Sequence, residues 1–451
     1  MNPVPTCPVV HYLRPAAPEP GPRPAVADPA LDDPLDPTRA LYQLTRYPAL
    51  ADPYPFYTQL RKAGPIRWDG YLKAWVVSGY AAVGAALRHP DLRAGRLLTG
   101  PDLQRRGLAA IGPLYDLLRD QLLFLDPPRH TRIRRVLAPA FVPQAVSGWA
   151  GIIITQVEQL LDQGAAADRM DLVADLAAPL PSAVIATLLD LPAADAPQLK
   201  RGADAYAALL GNFQGIPNGS GAATAILSDL TVYFRALIAH RRHHPGSDLI
   251  STLIAAQANG EIASDSEILG NCLLLLTGGH ETTTNLICSG VLALLDHPTV
   301  LGTLRADPTQ WPGTVEELLR FDSPAQYTAR LAQADLVLAG CPIRAGQGVL
   351  LLLGAANRDP VQWTDPDTLR LDRPSSPHLA FGRGIHFCLG AALARLEAGI
   401  ALQHLFARWP GLRLVGTHAD LEWADNPNLR CPQRLPLTWT SPVPILGALT
   451  Q

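Results

Sequence analysis

The chain has 451 residues, is 48% hydrophobic and carries a formal net charge of -3. The hydrophobic fraction is enough for a large buried core, and the balanced charge gives no ground to expect nucleic-acid binding. Charged residues make up only 17%, while 43 prolines and 36 glycines predict many breaks between helices.

Residues 1–37, rich in Pro, Ala and Asp, lack apolar periodicity and are expected to form a flexible arm. Cys7 and His11 within it are two isolated ligand types, too few for a metal site. The remainder, 38–451, reads as a single domain. No basic start followed by an apolar core opens the chain, and no run of about 18 apolar residues occurs. Neither a secretory signal nor a membrane anchor is expected, and the expected location is the cytoplasm.

A short helix is predicted over 53–62, followed by a β-hairpin in which Ile66-Arg67-Trp68 and Trp75-Val76-Val77 flank Asp69-Gly70. Residues 93–112 have no clean period and read as a long loop, a setting that is often functional. Asp126-Pro127-Pro128 opens a helix bearing Arg129, His130, Arg132, Arg134 and Arg135. Helices continue to about 243, interrupted by the Gly- and Pro-dense stretch 211–221. Ser264-x-x-Glu267 is a capping-box pattern. It opens a helix ending near Asp296, before His297-Pro298, with a length of about 45–50 Å at 1.5 Å per residue. A further helix is predicted over 313–321, with strands at 336–338 and 349–353. The fold class is therefore mostly α with a smaller β region.

Two segments carry the chemistry. Six cysteines are scattered without a Cys-x-x-Cys pair, which speaks against a disulfide framework, a zinc site or covalently attached haem and fits a reducing compartment. One of them, Cys388, lies in Phe381-Gly382-Arg383-Gly384-Ile385-His386-Phe387-Cys388-Leu389-Gly390. A lone cysteine is more often a small buried hydrophobe. Here glycines permit a tight turn, phenylalanines offer apolar faces, and the positive end of the following helix favours thiolate. The loop is built to present one sulfur to a flat apolar cofactor. The second segment, Thr277-Gly278-Gly279-His280-Glu281-Thr282-Thr283-Thr284, lies midway along the long helix. Adjacent glycines cost roughly 1 kcal/mol each against alanine, and threonine hydroxyls bond preceding carbonyls. A kink bordering a ligand is the better reading than a helix meant only for packing.

These segments resemble the haem loop and central helix of the cytochrome P450 family, and the resemblance runs over 38–451. It implies a P450-like fold with a long central helix over haem b (iron protoporphyrin IX). Cys388 would be the axial thiolate and metal ligand, with Phe381, Gly384, His386 and Gly390 completing the loop. Gly278, Gly279, Glu281 and Thr282 match the oxygen-binding segment. There, small residues leave space for dioxygen, and the acid–alcohol pair Glu281 and Thr282 serves catalysis by delivering protons. His130 and Arg134, spaced i, i+4, with Arg330 and His386, match contacts to the haem propionates. Glu317, Arg320 and Arg373 match a buried network that fixes the cysteine loop, with Leu369 in place of the usual Phe.

The implied function is a bacterial-type haem-thiolate monooxygenase. It would insert one oxygen atom of O2 into a C–H bond, a hydroxylation or related oxidation, of a lipophilic small molecule in specialised metabolism. Too little chain follows Cys388 for a fused reductase, so electrons are expected from a ferredoxin and an NAD(P)H-dependent ferredoxin reductase. Arg129, Arg132, Arg135, Arg383 and Arg395 would offer such an acidic partner a cationic face. Pocket residues are expected at Leu97, Leu98, 205–222, Leu274, Gly278, 325–328 and 428–431. Two alternatives stay open: a peroxide-dependent haem peroxygenase, against which the pair Glu281 and Thr282 speaks, and a non-catalytic haem-binding sensor.

Overall fold

The computed structural model describes Leu44 and residues 49–70, 72–95, 112–164, 168–192, 195–211, 220–373 and 377–439. The 1–37 arm, Leu97, Leu98 and 212–219 lie outside the described residues. The first predicted helix forms as Tyr54–Ala63, with a proline in its first turn and Gly64 at its end. The hairpin follows: β1 (Ile66–Asp69) pairs antiparallel with β2 (Ala74–Val77), Ile66 opposite Val77. Its turn is closed by the Leu72 N–H, which donates to Asp69 Oδ1 at 2.8 Å.

This hairpin joins a five-stranded sheet in the order β1-β2-β8-β5-β3, with β3 at Leu92–Arg93, β5 at Tyr327–Ala332 and β8 at Gly348–Leu352. Strand β8 is buried along its whole length. It lies parallel to β2 and antiparallel to β5, which explains its unbroken apolar run. The strand ends one residue earlier than predicted, because Leu353 begins a short helix, Leu353–Ala356. Smaller sheets are formed by β4 (Arg169–Asp171), β10 (Pro436–Thr438) and β9 (Arg413–Leu414), and by β6 (Leu336–Leu338) with β7 (Cys341–Ile343).

The long helix is two helices, Asp265–Gly278 and Glu281–Asp296, divided at Gly279 and His280, where the sequence places its flaw. Its N-cap forms only half of the expected capping box. Ser264 Oγ accepts the Glu267 N–H at 3.2 Å, but the Glu267 carboxylate turns away to the Ala263 N–H, Arg129 and Arg132. Two guanidinium groups outweigh one backbone donor. The N-terminal half packs on helices Gly112–Arg119, Ala196–Gly211 and Ser220–His243. The C-terminal half packs on Trp311–Phe321 and on Ala391–Arg408, the helix that follows Cys388. Both halves and the Cys388 helix share one large apolar core, whereas the five-stranded sheet buries its faces in separate clusters. Each fully buried Leu or Ile in that core contributes about 1.5–3 kcal/mol, so the broken helix is held from outside rather than by its own propensity. No single helix among the described residues is long and apolar enough to cross a membrane.

Candidate active site

The cysteine loop is shaped by two residues with left-handed backbone, Gly382 (φ 68°) and Gly384 (φ 76°). At Gly384 a Cβ would stand 2.8 Å from the Leu87 carbonyl oxygen, so neither the backbone angle nor the space admits a side chain. A short 3-10 turn, Gly384–His386, then brings the chain back, and the Cys388 N–H donates to the Phe381 carbonyl at 2.9 Å. The next helix starts at Ala391. Cys388 is exposed, although surrounding protein still burdens its thiol with a desolvation cost. Burial pushes its thiol up, while the Gly390 N–H and the charges of Arg134 and Arg395 pull it down.

Around this sulfur the structure gathers the four residues predicted to hold carboxylates. The His130 and His386 rings lie 4.3 Å apart. His130 is only 1% exposed, yet neither ring nitrogen has a hydrogen-bond partner among the described residues. Burial, then the Arg134 charge, lower its pKa to about 4. Arg330, 5% exposed, is lowered to about 10 by burial and, among the described residues, donates to Thr328 Oγ1 (3.2 Å) and the Ala329 carbonyl (2.8 Å). The acid that faces both His130 and Arg330 is Asp126, a residue the sequence reading did not single out. Its carboxylate is already engaged by the Ala94 and Gly95 N–H groups at 3.0 and 2.9 Å. Two desolvated arginines and an unpartnered buried histidine make a site for a group with more than one carboxylate. This donor set, beside a sulfur at a helix N-terminus, fits haem.

The broken helix supplies a different surface. Gly278 is exposed although its neighbours from Leu275 to Thr277 are buried, and a Cβ there would meet only Leu274 at 3.8 Å. Gly279 turns the other way, its Cβ position 3.0 Å from Ile185 Cδ1. Of the two glycines predicted to border the cofactor, Gly278 opens onto free space and Gly279 serves helix packing. Thr282 Oγ1 donates to the Gly278 carbonyl at 3.0 Å, spanning the break. Glu281 is raised to about 7 by burial and by the nearby Asp204 carboxylate, against the opposing charge of Lys200. At neutral pH it therefore holds its proton for much of the time. His280 is anchored by Ser182 Oγ at 2.6 Å and lies 3.8 Å from Asp204. Neither Asp204 nor Ser182 was legible beforehand, since each comes from a helix remote in sequence.

The loop is braced from beneath. Glu317 receives Arg320 Nε and Nη2 at 2.7 Å and Arg373 Nε at 2.9 Å. Arg320, 1% exposed, also donates to the Asn357, Pro366 and Thr368 carbonyls. Asn357 Oδ1 in turn accepts the Leu379 N–H at 2.6 Å, two residues before Phe381. Four of the arginines expected to share one cationic face are engaged by other side chains. Arg129 and Arg132 bind Glu267, and Arg383 donates to the Tyr80 hydroxyl at 2.9 Å. Arg395 pairs with Glu316 and lies 4.6 Å above the Phe381 ring. Burial alone would raise Glu316, but His378 and Arg395 outweigh it and hold the carboxyl at about 2.

A mostly helical fold, a cysteine presented by a glycine-rich loop and a cationic cluster beside it define a haem-thiolate protein. The chain belongs to the cytochrome P450 family. A model of that family, "Cytochrome P450", matches residues 226–310 and 311–410. The biotin biosynthesis cytochrome P450 of Bacillus subtilis is 38% identical over 394 residues, covering 86% of this chain and 97% of that relative. The cytochrome P450 monooxygenase PikC of Streptomyces venezuelae is 37% identical over 399 residues, with 86% and 91% covered. Among solved structures, P450BioI in complex with hexadec-9Z-enoic acid ligated acyl carrier protein matches with a TM-score of 0.79 at 37% identity, covering 87% of this chain and 98% of that one. Epothilone D-bound P450epoK matches with a TM-score of 0.81 at 31% identity, covering 88% and 98%. The protein is thus an oxidoreductase, a cytochrome P450 monooxygenase, whose cofactor is haem with a cysteine thiolate as axial ligand.

Proposed function

We propose that Cys388 is that axial ligand and that this chain inserts one oxygen atom of O2 into a C–H bond of a lipophilic small molecule. The observation that carries the assignment is the Cys388 loop itself, turned at Gly384 where no side chain fits, with the Arg134 charge acting on the thiol and buried His130 stacked near His386. Bound haem would supply activation of dioxygen and transfer of one oxygen atom. The chain's own residues do the rest. Arg134, Arg330, His130 and His386 hold the propionate carboxylates, and Phe381, Gly384 and Gly390 shape the loop. Burial pushes the Cys388 thiol up, so coordination by haem iron would be what favours its thiolate form. Gly278 leaves room at the kink, Glu281 holds a proton near neutral pH, and the Thr282 hydroxyl, released from the Gly278 carbonyl, passes it toward the cleft.

Bacterial members of the family draw electrons from redox partners. For this chain we assign a ferredoxin and its reductase, with exposed Arg135 as part of the cationic surface they would meet. The five described cysteines carry free thiols, in keeping with a cytoplasmic enzyme. A lipophilic substrate is supported by Leu274 and Leu429, apolar and partly exposed near the kink and the following loop. It is supported too by relatives whose structures hold epothilone D, testosterone or a hexadecenoyl carrier protein. A product of specialised metabolism fits that set. The first test is the spectrum of the reduced, carbon monoxide-bound protein. A strongly red-shifted Soret band that Cys388→Ala abolishes supports the ligand; an unchanged band in that variant removes it. Turnover with hydrogen peroxide exceeding that with ferredoxin and reductase would establish the peroxygenase instead.

A further inference from the structure

One ion pair rests on the cysteine loop without belonging to the brace beneath it. The helix Trp311–Phe321 carries two adjacent acids. Glu317 turns to Arg320 and Arg373, whereas Glu316 receives Arg395 Nε and Nη2 at 2.5 and 2.9 Å. The same carboxylate lies 3.3 Å from His378 Nε2. The Ala380 N–H donates to His378 Nδ1 at 3.2 Å, which leaves Nε2 to carry the ring proton toward Glu316. Held in this way, the Arg395 guanidinium stands 4.6 Å from the centre of the Phe381 ring. The Phe381 carbonyl accepts the Cys388 N–H at 2.9 Å, and the Phe381 ring meets Phe387 edge-on at 6.2 Å. It is the cationic end of the pair, not the carboxylate, that stacks on the loop.

On the reading that Cys388 is the axial ligand, we propose that the Glu316–Arg395 pair sets the reduction potential of the haem–thiolate centre, with Arg395 raising it and Glu316 limiting the rise. Reduction adds one electron, supplied by the redox partner, and makes that centre more negative. A fixed cation on the loop stabilises the reduced form, and an anion opposes it. The pair is placed for this role rather than for holding the fold. Its side chains are 35% and 42% exposed, and ion pairs of that exposure add little to stability. The loop is already fixed by Glu317, Arg320 and Asn357. What Arg395 adds is a charge held by two hydrogen bonds and by the face of an aromatic ring. His378 and Arg395 keep the Glu316 carboxyl at about 2, so both members of the pair stay charged at working pH. Both act through the cysteine loop and are positioning residues.

The test is a potentiometric titration of the substrate-free holoenzyme without oxygen, following the Soret band as reductant is added. Arg395→Gln should lower the potential, Glu316→Gln should raise it, and the double variant should return toward the wild type. Arg395→Lys keeps the charge without the fork and should recover most of what Arg395→Gln loses. A clamp that acts only by holding the loop would move both single variants in the same direction. That outcome, or potentials unchanged in all of them, would overturn the inference. If Arg395→Gln does not retain haem, Glu316→Gln decides: a rise supports the pair, and a fall or no change removes it. The reduced, carbon monoxide-bound spectrum of each variant separates this inference from the ligand assignment. A red-shifted band with unmoved potentials leaves Cys388 as the ligand and removes the role of the pair; a wild type without that band removes both.

Discussion

Glu397 offers a sharp test of how the proximal core is built. It lies in the helix Ala391–Arg408, is 2% exposed, and its Oε2 has no hydrogen-bond partner among the described residues. Burial raises its carboxyl from 4.5 to about 8. Below the unfolded value both states hold the proton. Between 4.5 and about 8 the unfolded chain releases it and the folded chain does not, so stability falls as pH rises through that window. The slope is roughly 1.4 kcal/mol per pH unit, which accumulates to about 4 kcal/mol at pH 7.5. Glu397→Gln removes the titration and keeps the shape. Any mismatch of the new amide adds an offset that does not depend on pH, so the slope alone carries the test. Urea unfolding of both holoproteins, followed by tryptophan fluorescence between about pH 5 and 9, should show the variant gaining on the wild type with rising pH and levelling above about 8. A constant difference across the range would mean that Glu397 ionises freely in the folded protein, and the reasoning would fail.

Other outcomes follow from the same geometry. Glu317→Ala strands Arg320, 1% exposed, and should cost about 3–5 kcal/mol; faster loss of the Soret band on mild heating would register it. Gly384→Ala combines φ 76° with a Cβ 2.8 Å from a backbone oxygen and should destabilise by about 1–3 kcal/mol, measured as a lowered urea midpoint. Product formed per nicotinamide consumed should fall as pH climbs through about 7, where Glu281 loses its proton. Asp204→Asn removes one of the causes that raise Glu281 and should move that fall to lower pH; an unmoved profile would detach Asp204 from proton delivery.

Much of the site was legible because its signals are local. The Cys388 loop announces itself through glycines that only a left-handed turn requires, and the kink through Gly278-Gly279 followed by threonines. The hairpin at Asp69 and the pairing of Glu317 with Arg320 are likewise written within a few residues. The half-formed capping box shows the limit of such reading. The Ser264 pattern is local, but the arginines that draw Glu267 away arrive from another helix. Strands of two residues, such as β3 and β9, carry too little periodicity to be seen at all.

The amino-acid sequence by itself determined the helix-rich class, the glycine-shaped cysteine loop and the flawed central helix. Each is a matter of backbone propensity or side-chain chemistry over a short span. Only the tertiary structure decided which of two adjacent glycines faces open space, that the Asp204 charge reaches Glu281, and that Arg129 and Arg132 are drawn to Glu267. Those facts depend on contacts between residues far apart in the chain, and such contacts are set by how helices pack rather than by any local pattern.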